Sequence, residues 1–339
     1  MIDKTSVPNG WVCLYPQDSS LTKDNSVTED NRSTSQTVTV SLDNRGLAYG
    51  DGFFTTMGVI DGLILWSDYH YQRLVSHADA LQLNINSEDL LAVLQLYAQQ
   101  LEQGMLKLVV TRATQDVRGY GYTPSANGSD CEIWLKATVM RVSTALQLPL
   151  PDGSLVPIQP HASAVCLSSQ IACLPPTLAG LKSLNRLDNV LASGELQQIK
   201  SEALASKLAV TLGEGLLRDM SGQWVEGTMS NVFYQLADKP ISESKKSSNS
   251  HEVGDSSLAQ GHYLTSGQWY TPSMTQSGVA GIMRQVIIDA LSTTQYPVVI
   301  RSLSDEDLPR VTQLFFCNAL RGIMPMTSLT LLSGDVVDF

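Results

Sequence analysis

Arg45-Gly46-Leu47-Ala48-Tyr49-Gly50-Asp51-Gly52-Phe53-Phe54-Thr55-Thr56 is the stretch from which the fold is read. From Asp51 to Ile60 it is rich in aromatic and β-branched residues, which suit a pleated strand. Asp61-Gly62 supplies a hairpin turn, and Leu63 to Trp66 the returning strand. Upstream, Thr37 to Leu42 alternates as a strand does, and Trp11 to Tyr15 is a further short strand. Between them, Pro16 to Ser35 is polar and rich in Ser, Thr, Asp and Asn, so it reads as an extended loop or insertion.

Downstream, Asp68 opens a helix with Tyr71, Leu74, Val75, Ala78 and Leu81 on one face. Ser87 is expected to cap a second, lined by Leu90, Leu94, Tyr97 and Leu101. Met105 to Thr111 and Glu132 to Val142 read as strands. The Pro-rich stretch Leu148 to Pro160 marks a linker between domains at 1–150 and 151–339. The second half begins with a strand at Ala164 to Ser168 and a helix at Asn185 to Lys200. Strands follow from Leu208 to Leu236, then a Ser-rich insertion from Lys239 to His262. A helix over Gly278 to Leu291 buries Ile282, Val286 and Ile287, and strands at Val298 to Arg301 and Gln313 to Cys317 close the chain. Strands and helices alternate without an internal repeat, so the fold class is α/β or α+β in two domains.

With 22 Lys and Arg against 33 Asp and Glu, the net charge of −11 excludes a broad nucleic-acid or anionic-membrane surface. Any anionic ligand must be held by a few local cations. Five widely spaced cysteines without a CxxC fit a reducing compartment better than a disulfide framework or a zinc site. Cys131, Cys166 and Cys317 read as core residues. No stretch approaches the roughly 18 apolar residues of a membrane span, and Met1 to Asn9 lacks a signal-type apolar core, so a cytoplasmic location is expected.

Lys182 leads the candidate chemistry. It follows the Cys173–Pro176 loop and apolar residues, ahead of the helical spacing Leu184, Leu187, Val190, Leu191. A lysine desolvated there loses its proton readily and can condense with an aldehyde; taken alone, an ordinary solvated lysine is the more common case. Arg73, one turn from Tyr69 and His77, could reach an anion or simply be solvated. Glu226, between two strand-like segments, could meet a protonated ring nitrogen or be a plain hairpin glutamate. Gly278-Val279-Ala280-Gly281 opens a helix whose first N–H groups suit a phosphate, though a simple Gly turn reads the same way. Arg118, in a Gly-rich loop, could present a guanidinium to a carboxylate or belong to a surface loop. A lysine for an aldehyde, a carboxylate for a ring nitrogen, and an arginine with a helix start for a phosphate together fit pyridoxal 5′-phosphate.

The opening stretch resembles the RxxxYGDGxFxT signature of fold-type IV pyridoxal-phosphate enzymes, the D-amino-acid aminotransferase-like group. His70-Tyr71-Gln72-Arg73-Leu74, Lys182-Ser183-Leu184-Asn185-Arg186, Glu226 to Phe233, Gly281-Ile282-Met283-Arg284-Gln285 and Cys317 to Pro325 resemble further family strings in family order. The resemblance implies a smaller N-terminal α/β domain, a larger C-terminal pseudo-barrel and a homodimer acting on a small molecule, with no nucleic acid, membrane or metal partner. It implies that Lys182 bonds the cofactor and moves protons, that Glu226 meets the pyridine nitrogen, and that Arg73, the backbone of Ile282 and Met283, and Asn318 hold the phosphate. Thr56 is expected beside the reacting atoms, Arg118 and Arg112 at substrate carboxylates, and Arg45 as a brace for the Gly-Asp-Gly turn. Phe54-Thr55-Thr56, the KSLNRL run and Cys317-Asn318-Ala319-Leu320 with Met324-Pro325 resemble the aminodeoxychorismate lyase branch, which cleaves 4-amino-4-deoxychorismate to 4-aminobenzoate and pyruvate in folate biosynthesis. Met326 departs from that branch, which usually has valine there. An aminotransferase acting on branched-chain or D-amino acids would use the same residues, and a non-catalytic scaffold would be expected to have lost some of them.

Overall fold

The computed structural model describes residues 10–15, 39–142, 146–205, 211–237 and 263–339. They form two compact units: the chain up to Val142 together with Lys182–Asn185, and Ser143–Leu181 together with Arg186–Phe339.

The first unit contains β1 (Trp11–Tyr15), α1 (Arg45–Tyr49), β2 (Gly52–Ile60), β3 (Leu63–Ile64), α2 (Ser67–Leu81), α3 (Ser87–Leu101), β4 (Gly104–Arg112) and β5 (Cys131–Val139). The strands make one antiparallel sheet in the order β1-β5-β4-β2-β3. The two-residue period of a strand sorts the side chains. Phe53, Met57 and Val59 face the core with Leu106, Leu108 and Ile133, and α2 and α3 cover them with Leu74, Ala78, Leu90 and Leu94. The opposite face carries Phe54, Thr56, Lys107, Val109, Trp134 and Lys136, all half-buried.

Several local expectations change. Thr39–Leu42 runs into a turn instead of a strand, while Thr37, Val38 and the 16–35 segment lie outside the described residues. Asn86, not Ser87, caps α3, its Oδ1 accepting the Asp89 N–H at 3.2 Å. Val75 is exposed, because the inward positions of α2 go to His70, Arg73, Leu74, His77 and Ala78.

The second unit contains β6 (Gln147–Pro149), β7 (Leu155–Pro157), β8 (Ala162–Ile171), α4 (Leu187–Ala205), β9 (Leu212–Asp219), β10 (Trp224–Gly227), β11 (Asn231–Leu236), β12 (Tyr270–Thr271), α5 (Ile282–Leu291), β13 (Val299–Ile300), β14 (Val311–Asn318), β15 (Gly322–Thr330) and β16 (Val336–Asp338). Strands β10-β9-β8-β15-β14-β11 follow one another, and β11 pairs back to β10 at Asn231↔Glu226, so six strands close into a ring. Alternate residues of these six strands, among them Ala164, Leu216, Trp224, Val232, Phe316 and Met326, gather in one apolar cluster. The residues between them, Val165, Leu167, Leu217 and Val225, pack with Ala192 and Leu196 of α4.

The Leu148–Pro160 stretch is not a linker. It holds the β6-β7 hairpin, and the chain passes from one unit to the next at Val142–Ser143 instead of at 150. Pro149 and Pro157 sit in the strands of a two-stranded ribbon, where an outward position needs no N–H donor. The 239–262 segment lies outside the described residues. α4 starts at Leu187, not Asn185, and Leu187, Val190 and Leu191 are exposed. No helix among the described residues is long and apolar enough to cross a membrane.

One ion network braces the turn into β2. Asp51 Oδ2 accepts Nε of both Arg45 and Arg112 at 2.9 Å, with side chains only 16%, 6% and 4% exposed. Arg45 also donates to the Tyr120 and Gly121 carbonyls. Removing one partner of a buried ion network strands the others in a dry site. Asp51→Ala is therefore expected to destabilise the protein by about 3–5 kcal/mol, read as a lowered urea midpoint; an unchanged midpoint would disprove the brace.

Candidate active site

In the first unit, Lys182 lies on a short extended run annealed to the start of β2. Its carbonyl accepts the Phe54 N–H at 3.0 Å, and the Leu184 N–H donates to the Gly52 carbonyl at 3.1 Å. Asn185 donates Nδ2 to the Gly50 carbonyl at 3.2 Å. Gly50 is needed there: it sits at φ +66, and a Cβ would strike the Asn185 amide. The Lys182 ammonium lies 4.6 Å from the Phe54 ring centre, against an aromatic face.

His77 fixes this run from below. The Lys182 N–H donates to His77 Nε2 at 2.9 Å. An N–H can only donate, so Nε2 must be unprotonated and the ring proton sits on Nδ1. Nδ1 lies 3.2 Å from Ser76 Oγ, which donates to the Arg73 carbonyl at 3.3 Å. A directed hydrogen-bond chain thus joins the peptide of Lys182 to the peptide of Arg73.

Arg73 is buried, and its Nη1 lies 3.5 Å from Thr55 Oγ1. That hydroxyl is also 2.9 Å from His70 Nδ1. His70 is fully buried, and its Nε2 has no hydrogen-bond partner among the described residues. Burial, with the Arg73 charge adding to it, holds the His70 imidazole well below its ordinary value of 6.5. A neutral ring is thereby kept beside the guanidinium. Thr56 points to the other face of β2, opposite Lys107.

In the second unit, Glu226 stands at the ring closure, 3% exposed. Its Oε2 accepts the Val279 N–H at 2.8 Å, and its Oε1 lies 3.4 Å from Asn189 Nδ2. Gly278 allows this approach, since a Cβ there would lie 3.0 Å from Oε2. Gly281 precedes α5 without any side-chain cap, and a Cβ on it would collide with Asn231 Oδ1. The N–H groups of Ile282 and Met283 open the helix and have no intrahelical acceptor. Arg284, in the same turn, is buried and donates to Thr271 and Pro272, and among the described residues no carboxylate pairs with it. A buried cation beside the positive end of a helix dipole calls for an anion, so these residues fit a phosphate.

Three expected residues are placed otherwise. Arg112 is buried and committed: besides Asp51 it donates to the Gln82 and Leu81 carbonyls and to Ser129 Oγ, and it lies 4.0 Å from the Tyr122 ring centre. It is a structural brace, not a substrate arginine. Arg118 is exposed on the loop after β4. Asn318 turns its Oδ1 to the Leu320 and Arg321 N–H groups and its Nδ2 to the Met229 carbonyl, so its amide holds the β14-β15 turn. The sequence did not mark Lys107, His70 or His77. Lys107 Nζ lies 5.3 Å from the Phe54 ring that also carries Lys182. Its signal was the strand period, which sets it on the face of Phe54 and Thr56. Burial pushes the thiols of Cys131 and Cys166 up to about 12, and that of Cys317 further, which leaves them inert as nucleophiles.

A two-unit α/β chain with a closed ring, a lysine against an aromatic face, a buried carboxylate and an uncapped helix start defines a pyridoxal-phosphate enzyme of fold-type IV. The chain belongs to the amino-transferase class IV family, whose model matches residues 52–329. Pyridoxal 5′-phosphate is the cofactor of that family. The chain is 24% identical over 294 residues to the aminodeoxychorismate lyase of Vibrio harveyi, covering 86% of this chain and 88% of the relative. It is similar to the crystal structure of 4-amino-4-deoxychorismate lyase from Pseudomonas aeruginosa, with 27% identity and a TM-score of 0.62 over 86% of this chain and 88% of the other. It shares its fold with the branched-chain amino acid aminotransferase of Escherichia coli, at 20% identity and a TM-score of 0.58 over 86% and 80% of the two chains.

Two outcomes follow from the histidines. His77→Leu leaves the Lys182 N–H without its acceptor and should slow covalent attachment of the cofactor to Lys182, followed by visible absorption. His77→Gln, which returns an acceptor near Nε2, should restore it; equal rates in both variants would show that His77 does not hold the lysine. For His70, the unfolded chain takes up a proton below about 6.5 while the native state does not, so protonation favours unfolding as pH falls. Between pH 7.5 and 5.5 the wild type should lose more thermal stability than His70→Gln, and parallel losses would contradict a depressed native pKa.

Proposed function

We propose that this chain is a lyase that converts 4-amino-4-deoxychorismate to 4-aminobenzoate and pyruvate, a step of folate biosynthesis. The observation that carries the reading is the outer face of the first unit's sheet. Phe54, whose ring lies 4.6 Å from Lys182 Nζ, is followed two residues on, on the same face, by the Thr56 hydroxyl. An amine and a neutral hydroxyl are the groups needed to move protons without a second carboxylate.

In this reading Lys182 bonds the cofactor through Nζ, and Glu226, held by the Val279 N–H, meets its ring nitrogen and keeps it protonated. Arg73 and the N–H groups of Ile282 and Met283 take the phosphate, with Asn318 supporting them only through the turn it holds. When bound, the cofactor supplies an electron sink. Lys182, displaced by the amine of the substrate, removes the proton from the ring carbon that bears that amine. The C–O bond to the enolpyruvyl group then breaks, the ring becomes aromatic, and the departing enol takes a proton at its methylene carbon to give pyruvate. Thr56 assists that protonation. General acid–base work of this kind is worth roughly 10²–10⁴-fold. Arg118, exposed and with no carboxylate partner among the described residues, meets a substrate carboxylate. The exposed row Leu187, Val190 and Leu191, spaced as one face of α4, supports a homodimer.

The cofactor-loaded protein should release equal amounts of 4-aminobenzoate and pyruvate from aminodeoxychorismate, and Lys182→Ala should abolish that release. Glu226→Ala should keep some cofactor but lose most turnover. Formation of glutamate from 2-oxoglutarate with branched-chain or D-amino acids, without 4-aminobenzoate, would identify an aminotransferase instead. Sedimentation should give a dimer that Val190→Asp weakens.

A further inference from the structure

Glu226 and Asn231 close the ring of the second unit as direct cross-strand partners, and both reach the same residue ahead of α5. Glu226 Oε2 accepts the Val279 N–H at 2.8 Å, and Asn231 Nδ2 donates to the Val279 carbonyl at 2.8 Å. One residue on, the Ala280 N–H donates to the Gly180 carbonyl at 2.9 Å. The peptide planes on both sides of Val279 are therefore fixed, two residues before the helix cap at Gly281. Asn231 is buried, and the other neighbour of its amide nitrogen is the Met274 sulfur at 3.6 Å, a weak acceptor. The Val279 carbonyl is its strong acceptor.

Gly281 is matched to this arrangement. Its φ of −72 and ψ of 143 are open to any residue, so its backbone does not call for glycine. Asn231 does, because a Cβ at 281 would collide with Asn231 Oδ1, while Arg284 Cβ would stay 3.8 Å away. Beyond Gly281 come the N–H groups of Ile282 and Met283, which have no acceptor within the helix.

We infer that Asn231 is a positioning residue for the cofactor phosphate. By holding the Val279 carbonyl it fixes the direction in which the chain enters α5, and so aims the N–H groups of Ile282 and Met283. Donors aimed in advance need no ordering when the anion arrives. The same residue, Val279, ties this helix start to Glu226, so the carboxylate for the ring nitrogen and the donors for the phosphate keep a set spacing. The inference rests on the proposed placement of the phosphate at α5, and not on the choice between lyase and aminotransferase.

The test titrates full-length protein, freed of cofactor, with pyridoxal 5′-phosphate and with pyridoxal, followed by visible absorption. The wild type should bind the phosphorylated form more tightly. Asn231→Ala should weaken that form about tenfold, the size of one buried hydrogen bond, and leave pyridoxal unchanged. Gly281→Ala, which drives Asn231 off the carbonyl, should show the same selective loss, and it decides the matter if Asn231→Ala does not fold. The double variant should lose no more than either alone, since both remove one contact. Ser277→Ala removes a buried bond to Asp219 Oδ2 from the same stretch, 2.7 Å long, and should lower thermal stability without touching the preference. Equal losses for the two ligands in Asn231→Ala, additive losses in the double variant, or a selective loss in Ser277→Ala would make Asn231 a support of the fold only. A wild type that binds both forms equally would remove the phosphate from α5 itself. A wild-type preference that survives Asn231→Ala would leave the phosphate there and remove only the role of Asn231.

Discussion

The annealing of Lys182–Asn185 to the start of β2 is the constraint on which the rest of the molecule depends. The residues on either side of this run belong to the second unit, yet its own backbone is hydrogen-bonded into the first. Backbone pairing is what makes the lysine's position reproducible. Its carbonyl is spent on Phe54 and its N–H on His77, so the backbone on both sides of the side chain is held in place. The glycines of the Gly50-Asp51-Gly52 turn serve that pairing. Gly50 leaves room for Asn185, and a Cβ on Gly52 would meet the Val110 carbonyl.

Around this run, charge is handled by position, not by number. The chain is acidic as a whole, yet it buries Arg73 and Arg284 and keeps His70 neutral next to one of them. Arg284 is tied by neutral acceptors, a threonine hydroxyl and a backbone carbonyl, which orient it without cancelling its charge. Arg45 and Arg112 are the contrast. They share Asp51, and their charge is consumed in holding the fold. Among the described residues, arginine is therefore structural where a carboxylate meets it, as at Arg112, and open to an anion where none does, as at Arg284.

This contrast also explains what could be read in advance. Local patterns carry β2, the Asp61-Gly62 turn, α2, α3 and the family strings, because periodicity and turn chemistry are properties of neighbouring residues. The commitment of Arg112 depends on Ser129, Gln82 and Leu81, which no spacing rule connects to it. Asn318 was expected at the phosphate only through the family resemblance, and its bonds to the Leu320 and Arg321 N–H groups have no side-chain signature in the sequence. Leu187, Val190 and Leu191 show the reverse case, a correct helical spacing whose outward direction the spacing cannot tell.

The closed ring has one more consequence. A strand with partners on both sides offers no free row of N–H and C=O groups to another chain, and the outermost strands added to the ring, β13 and β16, are only two and three residues long. The first unit is less protected. Among the described residues its sheet ends at β1, five residues long, with Trp11 and Tyr15 exposed. Aggregation of a partly opened protein by strand-to-strand growth would therefore begin at β1, and a charge on that edge would guard the whole molecule more effectively than any change in the ring.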